Sequence, residues 1–182
     1  ADVWAAHREG GAGAMAGCIL QRTAGNGGGT VQSNRRKTMR VSSILSNKGS
    51  TVATTAPTTP LAEAVNELRL RGVGALVVST DGSHIEGLLA ERDVVRRLAE
   101  RGDAIMGEPV AAAMMVEVVT CAPDDDLERL ARTMTESRQR HLPVVVGGQL
   151  VGIVSIGDVV KARLEQLEEE SRLMHEYIST GR

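Results

Sequence analysis

The chain has 182 residues, of which 42% are hydrophobic and 24% are charged, and this balance suits one compact domain or two small packed modules. Wholesale disorder is excluded, because a disordered chain is poorer in apolar residues. The formal net charge is −2, and residues 39–182 carry 16 basic and 21 acidic side chains, which argues against a binder of the nucleic-acid backbone. Trp4 and Tyr177 are the only aromatic residues, which disfavours the stacking of single-stranded bases.

The first 38 residues differ in composition from the rest of the chain. Residues 1–38 hold eight of the 20 glycines and show neither helical nor strand periodicity, which predicts a flexible tail. An organelle transit peptide and a tag or other non-native extension are alternative interpretations, and Met39 is the natural start of the folded part. No apolar run approaches the roughly 20 residues that span a bilayer. Two cysteines, Cys18 and Cys121, cannot build a disulfide framework, so we expect a cytoplasmic protein.

The rest of the chain contains an internal duplication. Residues 52–96 align with residues 118–161 at an offset of 66, which becomes 65 after one residue is lost in a loop. Apolar positions match throughout, and so do a proline, a glycine and an aspartate. The matched positions are Pro57 and Pro123, Ala75–Val78 and His141–Val144, Gly87 and Gly152, and Asp93 and Asp158.

Each copy predicts the order β-α-β-β-α. In the second copy a short strand, Val118–Thr120, leads into a helix with Asp125 at its N-cap, because Asp125 and Glu128 have capping-box spacing. Two apolar strands joined by a turn follow, and a last helix begins near Asp93 or Asp158. The predicted strand pairs are Ala75–Val78 with Ile85–Leu89 and Leu142–Val146 with Leu150–Val154.

Neither copy is long enough to bury much apolar surface alone, so we expect the two to pack face to face in an α+β fold. The predicted division is a first unit over 39–105, a second over 106–164, and a helical extension over 165–182. This last helix is expected to run to about Ile178. It repeats mainly apolar residues with a heptad-like spacing, which is compatible with a helix packed on its own domain or with a dimer helix. The seam consists of Val160, Leu164, Leu167, Ser171, Met174 and Ile178.

The duplicated unit resembles the cystathionine-β-synthase (CBS) domain, and residues 40–165 resemble a tandem CBS pair. The most specific matches in the second copy are Arg140–Val144 (RHLPV) and Gly152–Asp158 (GIVSIGD). Their counterparts in the first copy are Gly72–Val77 (GVGALV) and Gly87–Asp93 (GLLAERD). The resemblance implies a two-fold pseudosymmetric module that binds adenine nucleotides in clefts between its units.

The resemblance also implies which residues bind the ligand. In CBS pairs the aspartate that opens each last helix usually binds the ribose hydroxyls, and a Ser or Thr three residues earlier lies near the ribose or phosphate. An ionised carboxylate can accept two hydroxyl protons, and a helix N-terminus offers free N–H groups to phosphate. Ala90 replaces that Ser in the first copy, which puts its site in doubt, and plain helix capping is the alternative role of both aspartates. The expected sites are Asp158 with Ser155, Ile156 and Gly157, and Asp93 with Glu91 and Arg92.

The remaining expected contacts concern the phosphate and the base. The resemblance makes Arg140 and His141 candidate phosphate ligands, while a solvated helix end and a local strand-edge hydrogen bond are their alternative roles. Without core aromatics, an adenine slot would be aliphatic, and backbone groups of the strand that ends at Thr120 could bind the edge of the base. The candidate slot residues are Val118, Pro143, Ile153 and Ile156.

These observations favour a regulatory binding protein over an enzyme. The sequence shows no metal-ligand spacing and no nucleophilic triad. We expect a homodimeric sensor of an adenine nucleotide (AMP, ADP, ATP, NAD(H) or S-adenosylmethionine), with an unidentified client protein and without a required cofactor, nucleic-acid or membrane partner. The alternative is a structural interaction module that uses the last helix while its clefts stay empty.

Overall fold

A computed structural model describes residues 39–180, so the predicted tail over 1–38 lies outside the described residues. The described part contains five α-helices and five strands, with short 3₁₀ turns between α3 and α4. In chain order they are α1 Val41–Lys48, β1 Thr54–Thr55, α2 Leu61–Arg71, β2 Ala75–Val78, β3 Gly87–Ala90, α3 Glu91–Arg101, 3₁₀ turns Gly102–Gly107 and Val110–Ala112, α4 Leu127–Glu136, β4 His141–Val146, β5 Gln149–Ser155 and α5 Ile156–Thr180.

The first copy has the predicted order β-α-β-β-α. Strand β1 pairs in parallel with β2, and β2 pairs antiparallel with β3 in a register that joins Ala75 to Ala90 and Val78 to Gly87. All four residues of β2 and of β3 are buried, which explains their unbroken apolar sequence. Helix α2 covers this sheet with one apolar stripe of buried residues, Leu61, Ala64 and Leu68.

The second copy departs from the prediction at its first strand. Strands β4 and β5 form an antiparallel pair around a Gly147–Gly148 turn, but residues 118–120 join no ladder, so the predicted strand Val118–Thr120 is wrong. The parallel pairing is limited to a bridge between Cys121 and Val144. Beside it, the side-chain amide of Gln139 binds both the N–H and the C=O of Val119, at 3.1 and 2.9 Å, and replaces the missing ladder bonds.

The start of α4 also differs by one residue from the prediction. Asp126 is the N-cap, because its Oδ1 accepts the amides of Glu128 and Arg129 at 2.8 and 3.2 Å. Asp125 instead accepts the amide of Ala122 at 2.9 Å in the preceding turn. The run of three aspartates allowed either Asp125 or Asp126 to be the N-cap. Because Asp125 takes part in the turn around Pro123, Asp126 is the residue that caps the helix.

The segment that leads into each copy packs on the other copy. Val41 and Ile44 of α1 lie in the hydrophobic core of the second copy, and the Val41 amide donates to the Asp125 carbonyl at 3.0 Å. Conversely, Val110 and Ala113, which precede the second copy, lie in the core of the first. The two packed units therefore do not correspond to a simple division of the chain at residue 105, because each unit includes the segment that leads into the other copy.

The two copies share a third apolar cluster. Ala75, Val77, Leu88 and Ala90 of the first sheet are buried there, with Val118 and Ile153 of the second copy packed against them. The Leu150 amide donates to the Ser83 carbonyl at 2.8 Å across the same boundary. The expected face-to-face packing of two α+β units is therefore present.

Helix α5 leaves its heptad-like seam exposed. Val160, Leu164 and Leu167 are 51%, 55% and 45% exposed, whereas Val159 and Ala162 are buried in the core of the second copy. The interpretation in which this seam packs on its own domain is therefore wrong. Within residues 39–180, none of the helices combines the length and the apolar character that crossing a bilayer requires.

Candidate functional site

The last helix of each copy begins with the same arrangement. Asp93 and Asp158 are the third residues of α3 and α5, and Ala90 and Ser155 immediately precede these helices. In the second copy the Asp158 carboxylate accepts the Ser155 amide at 2.8 Å, and the Ser155 hydroxyl accepts the Asp158 amide at 3.2 Å. This is a complete capping box, so the capping role of Asp158 is present in the structure.

The Asp158 carboxylate is nonetheless accessible. Its side chain is 23% exposed and also binds Lys48, whose Nζ lies 2.7 Å from Oδ2. Partial burial raises the pKa of Asp158, but the hydrogen bonds from Lys48 and Ser155 outweigh it and hold the pKa below its ordinary value. Asp158 is therefore ionised at neutral pH and places a negative charge at the start of α5.

The equivalent residue of the first copy is closed to a ligand. The side chain of Asp93 is fully buried, and its carboxylate accepts the Ala90 amide at 3.3 Å and the Arg96 guanidinium at 3.1 Å. Ala90 has no hydroxyl, so Arg96 supplies the second partner that a serine would supply. A ribose could reach Asp93 only after Arg96 moved.

His141 lies where the two copies meet. Its ring covers Gly74 of the first copy so closely that an added Cβ at Gly74 would lie 3.0 Å from His141 Cε1. Burial lowers the pKa of His141 below its ordinary value, and the nearby charges of Lys48 and Arg92 lower it further. Asp158 and Glu91 act in the opposite direction. The structure thus brings residues of both predicted sites to one imidazole.

The other predicted ligands are divided between surface and core. Residues at the surface are Glu91, Arg92, Thr120, Arg140 and Gly157. Val118 and Ile153 lie together in the cluster between the copies, whereas Ile156 packs on the core of the second copy, and Pro143 is buried with its carbonyl bound to the Cys121 amide. The predicted slot residues are therefore divided between the interface of the two copies and the interior of the second copy.

Three residues near this site escaped the sequence analysis. Lys48 is separated from Asp158 by 110 positions, and only the packing of α1 on the second copy brings them together. Gln139 is buried and binds the backbone of Val119 and His141. Gly74 belongs to a segment matched by the resemblance, but the need for a glycine arises from a ring in the other copy.

Cys121, the cysteine among the described residues, is buried. Burial raises the pKa of the Cys121 thiol to about 12, which keeps it protonated and a poor nucleophile. Within residues 39–180 no group of three His, Cys, Asp or Glu side chains is arranged to hold a metal ion. The candidate site is therefore the cluster around His141 and Asp158, which we call the His141 cleft and define as Lys48, Glu91, Arg92, His141, Ser155 and Asp158.

The first unit has the order β-α-β-β-α and the second the order α-β-β-α. Two such packed units, each with an aspartate in the first turn of its last helix, define a tandem pair of the CBS type. The CBS domain family matches residues 41–100 and 110–165, so the chain belongs to the CBS domain family. It is 34% identical over 123 residues to the mitochondrial CBS domain-containing protein CBSX3 of Arabidopsis thaliana, covering 65% of this chain and 60% of CBSX3. It is 33% identical over 132 residues to YhcV of Bacillus subtilis, covering 72% of this chain and 90% of YhcV.

Solved structures show the same fold. The CBS-domain protein ATU1752 from Agrobacterium tumefaciens is 40% identical with a TM-score of 0.67, covering 69% of this chain and 99% of that chain. PAE2072 from Pyrobaculum aerophilum, solved in complex with AMP, is 28% identical with a TM-score of 0.59 and 66% and 89% coverage. CBSX2 from Arabidopsis thaliana, also in complex with AMP, is 26% identical with a TM-score of 0.57 and 69% and 96% coverage.

Proposed function

We propose that this chain is a regulatory sensor that binds an adenine nucleotide in the His141 cleft. The observation that carries the proposal is the ionised, partly exposed carboxylate of Asp158 at the start of α5. Ribose hydroxyls can donate to this carboxylate, and the N-terminus of α5 beside it carries the positive end of the helix dipole, which favours a phosphate. The AMP complexes of PAE2072 and CBSX2 support this ligand class. AMP is the first candidate, followed by ADP, ATP, NAD(H) and S-adenosylmethionine.

We infer one nucleotide site per chain rather than two. The Asp158 side chain is 23% exposed and its ion-pair partner Lys48 is 42% exposed, whereas the Asp93 side chain is fully buried and bound by Arg96. Of the predicted ligands, Asp158, Ser155 and His141 form the centre of the proposed site, and Arg140 and Arg92 are the surface cations that could reach a phosphate. A stoichiometry of one nucleotide per chain is the expected result.

The proposal is tested by thermal unfolding of the full chain with each candidate nucleotide. A ligand at about 100 times its dissociation constant stabilises the fold by about 2.7 kcal/mol, which shifts the midpoint by several degrees. Asp158→Asn should abolish the shift. Asp126→Asn is the matched control, because Asp126 caps α4 outside the cleft and should leave the shift intact. Absence of any shift in the wild type would contradict the proposal.

We further propose that two copies associate through the last helices. Val95 of α3 and Val160 of α5 occupy the same position in the two copies, and they are 65% and 51% exposed. The distal part of α5 is exposed along its length. Isolated helices of about 12–15 residues are only marginally stable in water, so this part of α5 needs a partner. We expect the seam to pack against the seam of a second copy. Leu164→Glu should give monomers in sedimentation or light-scattering measurements. Leu173→Glu, on the opposite face of the helix, is the matched control.

The exposed seam also favours one alternative function, a structural module in which α5 binds a partner and the cleft stays empty. A wild type that dimerises but shows no nucleotide shift would support that alternative. We propose binding without turnover, in the cytoplasm and with a client protein as the regulated target. Nucleotide hydrolysis that is lost in Ser155→Ala would instead indicate an enzyme.

A further inference from the structure

Lys48 is placed in the cleft by a helix that precedes the first copy. Helix α1 is held on the second copy by the buried residues Val41 and Ile44, and Leu45 packs over Gly152. The last residue of this helix is Lys48, and its Nζ lies 2.7 Å from Asp158 Oδ2. The position of this ammonium group is therefore set by core packing rather than by a freely moving loop.

Lys48 occupies the carboxylate oxygen that a ribose would need. Oδ2 of Asp158 accepts three hydrogen bonds, from Lys48 Nζ at 2.7 Å and from the amide and hydroxyl of Ser155, both at 2.8 Å. A carboxylate oxygen offers about two lone-pair sites, so a further donor to Oδ2 has to replace one of these three. Lys48 is the donor that can leave without breaking the capping box of α5. A vicinal diol that uses both carboxylate oxygens can bind only after Lys48 leaves.

We propose that Lys48 makes the cleft selective for phosphorylated nucleosides, by blocking Asp158 in the free protein and binding the phosphate in the complex. This inference rests on the proposed function. An ammonium group released from Asp158 needs a new anionic partner close to the end of α1, and a 5′-phosphate supplies one. An uncharged nucleoside displaces Lys48 without offering that partner, so it binds at a disadvantage.

The local charges agree with this exchange. Both Lys48 and Asp158 affect the pKa of His141, which places the ion pair and the imidazole in the same electrostatic environment. The side chain of Lys48 is 42% exposed, and ion pairs of this exposure contribute little to stability and are easily exchanged. The pair can therefore act as a gate that a ligand opens.

The test compares AMP with adenosine by titration calorimetry on the full chain. In Lys48→Met we expect AMP to bind about tenfold more weakly, since one charge-assisted hydrogen bond is lost. Adenosine should bind as well as before or more tightly, because the block on Asp158 is removed. Lys48→Arg should restore the preference for AMP. Arg40→Met is the matched control, because it removes a positive charge from the other end of the same helix.

A loss of AMP affinity in Lys48→Met without a loss of adenosine affinity would support the role of Lys48. If the wild type binds AMP and Lys48→Met keeps the same ratio of AMP to adenosine affinity, the selectivity role of Lys48 is wrong while the proposed function stands. If the wild type binds neither AMP nor any of the other nucleotides, the proposed function is wrong and this inference falls with it. Equal weakening of both ligands in Lys48→Met would identify Lys48 as a structural residue and overturn the gate.

Discussion

Gly87 and Gly152 occupy the same position in the two copies, and each leaves space for the segment that precedes the opposite copy. An added Cβ at Gly152 would lie 2.6 Å from Leu45 Cδ2, and one at Gly87 would lie 2.7 Å from Met114 Sδ and 2.9 Å from the Met115 carbonyl oxygen. Because both positions are glycines, the segment that precedes each copy can pack on the other copy. This packing places α1, and therefore Lys48, beside the cleft.

The two glycines should differ in their tolerance of alanine. At Gly152 the obstacle is the end of a flexible leucine, whereas at Gly87 it includes a backbone carbonyl that accepts the Leu88 amide at 2.9 Å. We expect Gly87→Ala to lower the free energy of unfolding by about 2–3 kcal/mol and Gly152→Ala by about 1 kcal/mol, within the usual range for overpacking. Urea unfolding measures both, and a larger loss at Gly152 would contradict the prediction.

The sequence predicted most of each copy, because apolar periodicity and the duplication report local structure. The positions of β2, β3 and the last helices follow from these patterns. It did not predict the pairing of Lys48 with Asp158 or the ring of His141 on Gly74, since both depend on how separate segments pack. Gln139 was not predicted for a related reason, since a polar residue next to a helix end is usually exposed to solvent. The structure shows that Gln139 is buried and binds backbone groups.

The turn after the first predicted helix of each copy offers a second prediction. Arg138 has φ 54°, and the matched residue of the first copy is Gly72 with φ 61°. A left-handed conformation costs a non-glycine residue about 1–2 kcal/mol, and a glycine avoids this cost. Glycine has more conformational freedom in the unfolded chain, however, which lowers the stability of the folded protein by about 0.5–1 kcal/mol. Arg138→Gly should therefore raise the free energy of unfolding by about 0.5–1 kcal/mol in urea.

The reciprocal change is the control for Arg138. An added Cβ at Gly72 would contact nothing within 4 Å, so Gly72→Ala tests the backbone conformation without a steric clash. It should destabilise the protein by about 1 kcal/mol. If Arg138→Gly destabilised the chain, the side chain of Arg138 would have a stabilising role that outweighs its backbone strain.

Gln139 gives a third prediction, since it is the buried link between the loop at Val119 and strand β4. Gln139→Leu removes three hydrogen bonds and leaves the Val119 amide and carbonyl and the His141 carbonyl without this partner. Buried polar groups left unpaired cost about 1–3 kcal/mol each, so we expect a loss of about 3 kcal/mol. Gln149→Leu, at the exposed start of β5, is the matched control and should change stability by less than about 0.5 kcal/mol.

The same substitution should be visible locally. The Val119 amide is expected to exchange with solvent much faster in Gln139→Leu than in the wild type, because its acceptor is lost. Amides of β2 in the first copy should keep their protection. Unchanged exchange at Val119 would mean that another group replaces the Gln139 side chain as its partner.

His141 should make the stability of the free protein depend on pH. The pKa of His141 in the folded state lies below 6.5, which is the value expected for the unfolded chain. Near and below pH 6.5 the unfolded chain therefore binds a proton at His141 more readily than the folded chain does. Stability therefore falls as the pH drops from 7.5 to 5.5. Lys48 and Arg92 strengthen the effect, while Asp158 and Glu91 oppose it. His141 should therefore account for part of this loss.

Urea unfolding of His141→Gln at pH 7.5 and 5.5 measures this contribution. The variant should lose less stability than the wild type over this interval. The pH dependence of Lys48→Met should lie between those of the wild type and His141→Gln, because removal of the Lys48 charge lets the pKa of His141 rise toward 6.5. An equal pH dependence in wild type and His141→Gln would show that the imidazole accepts its proton equally well in the folded and unfolded chains.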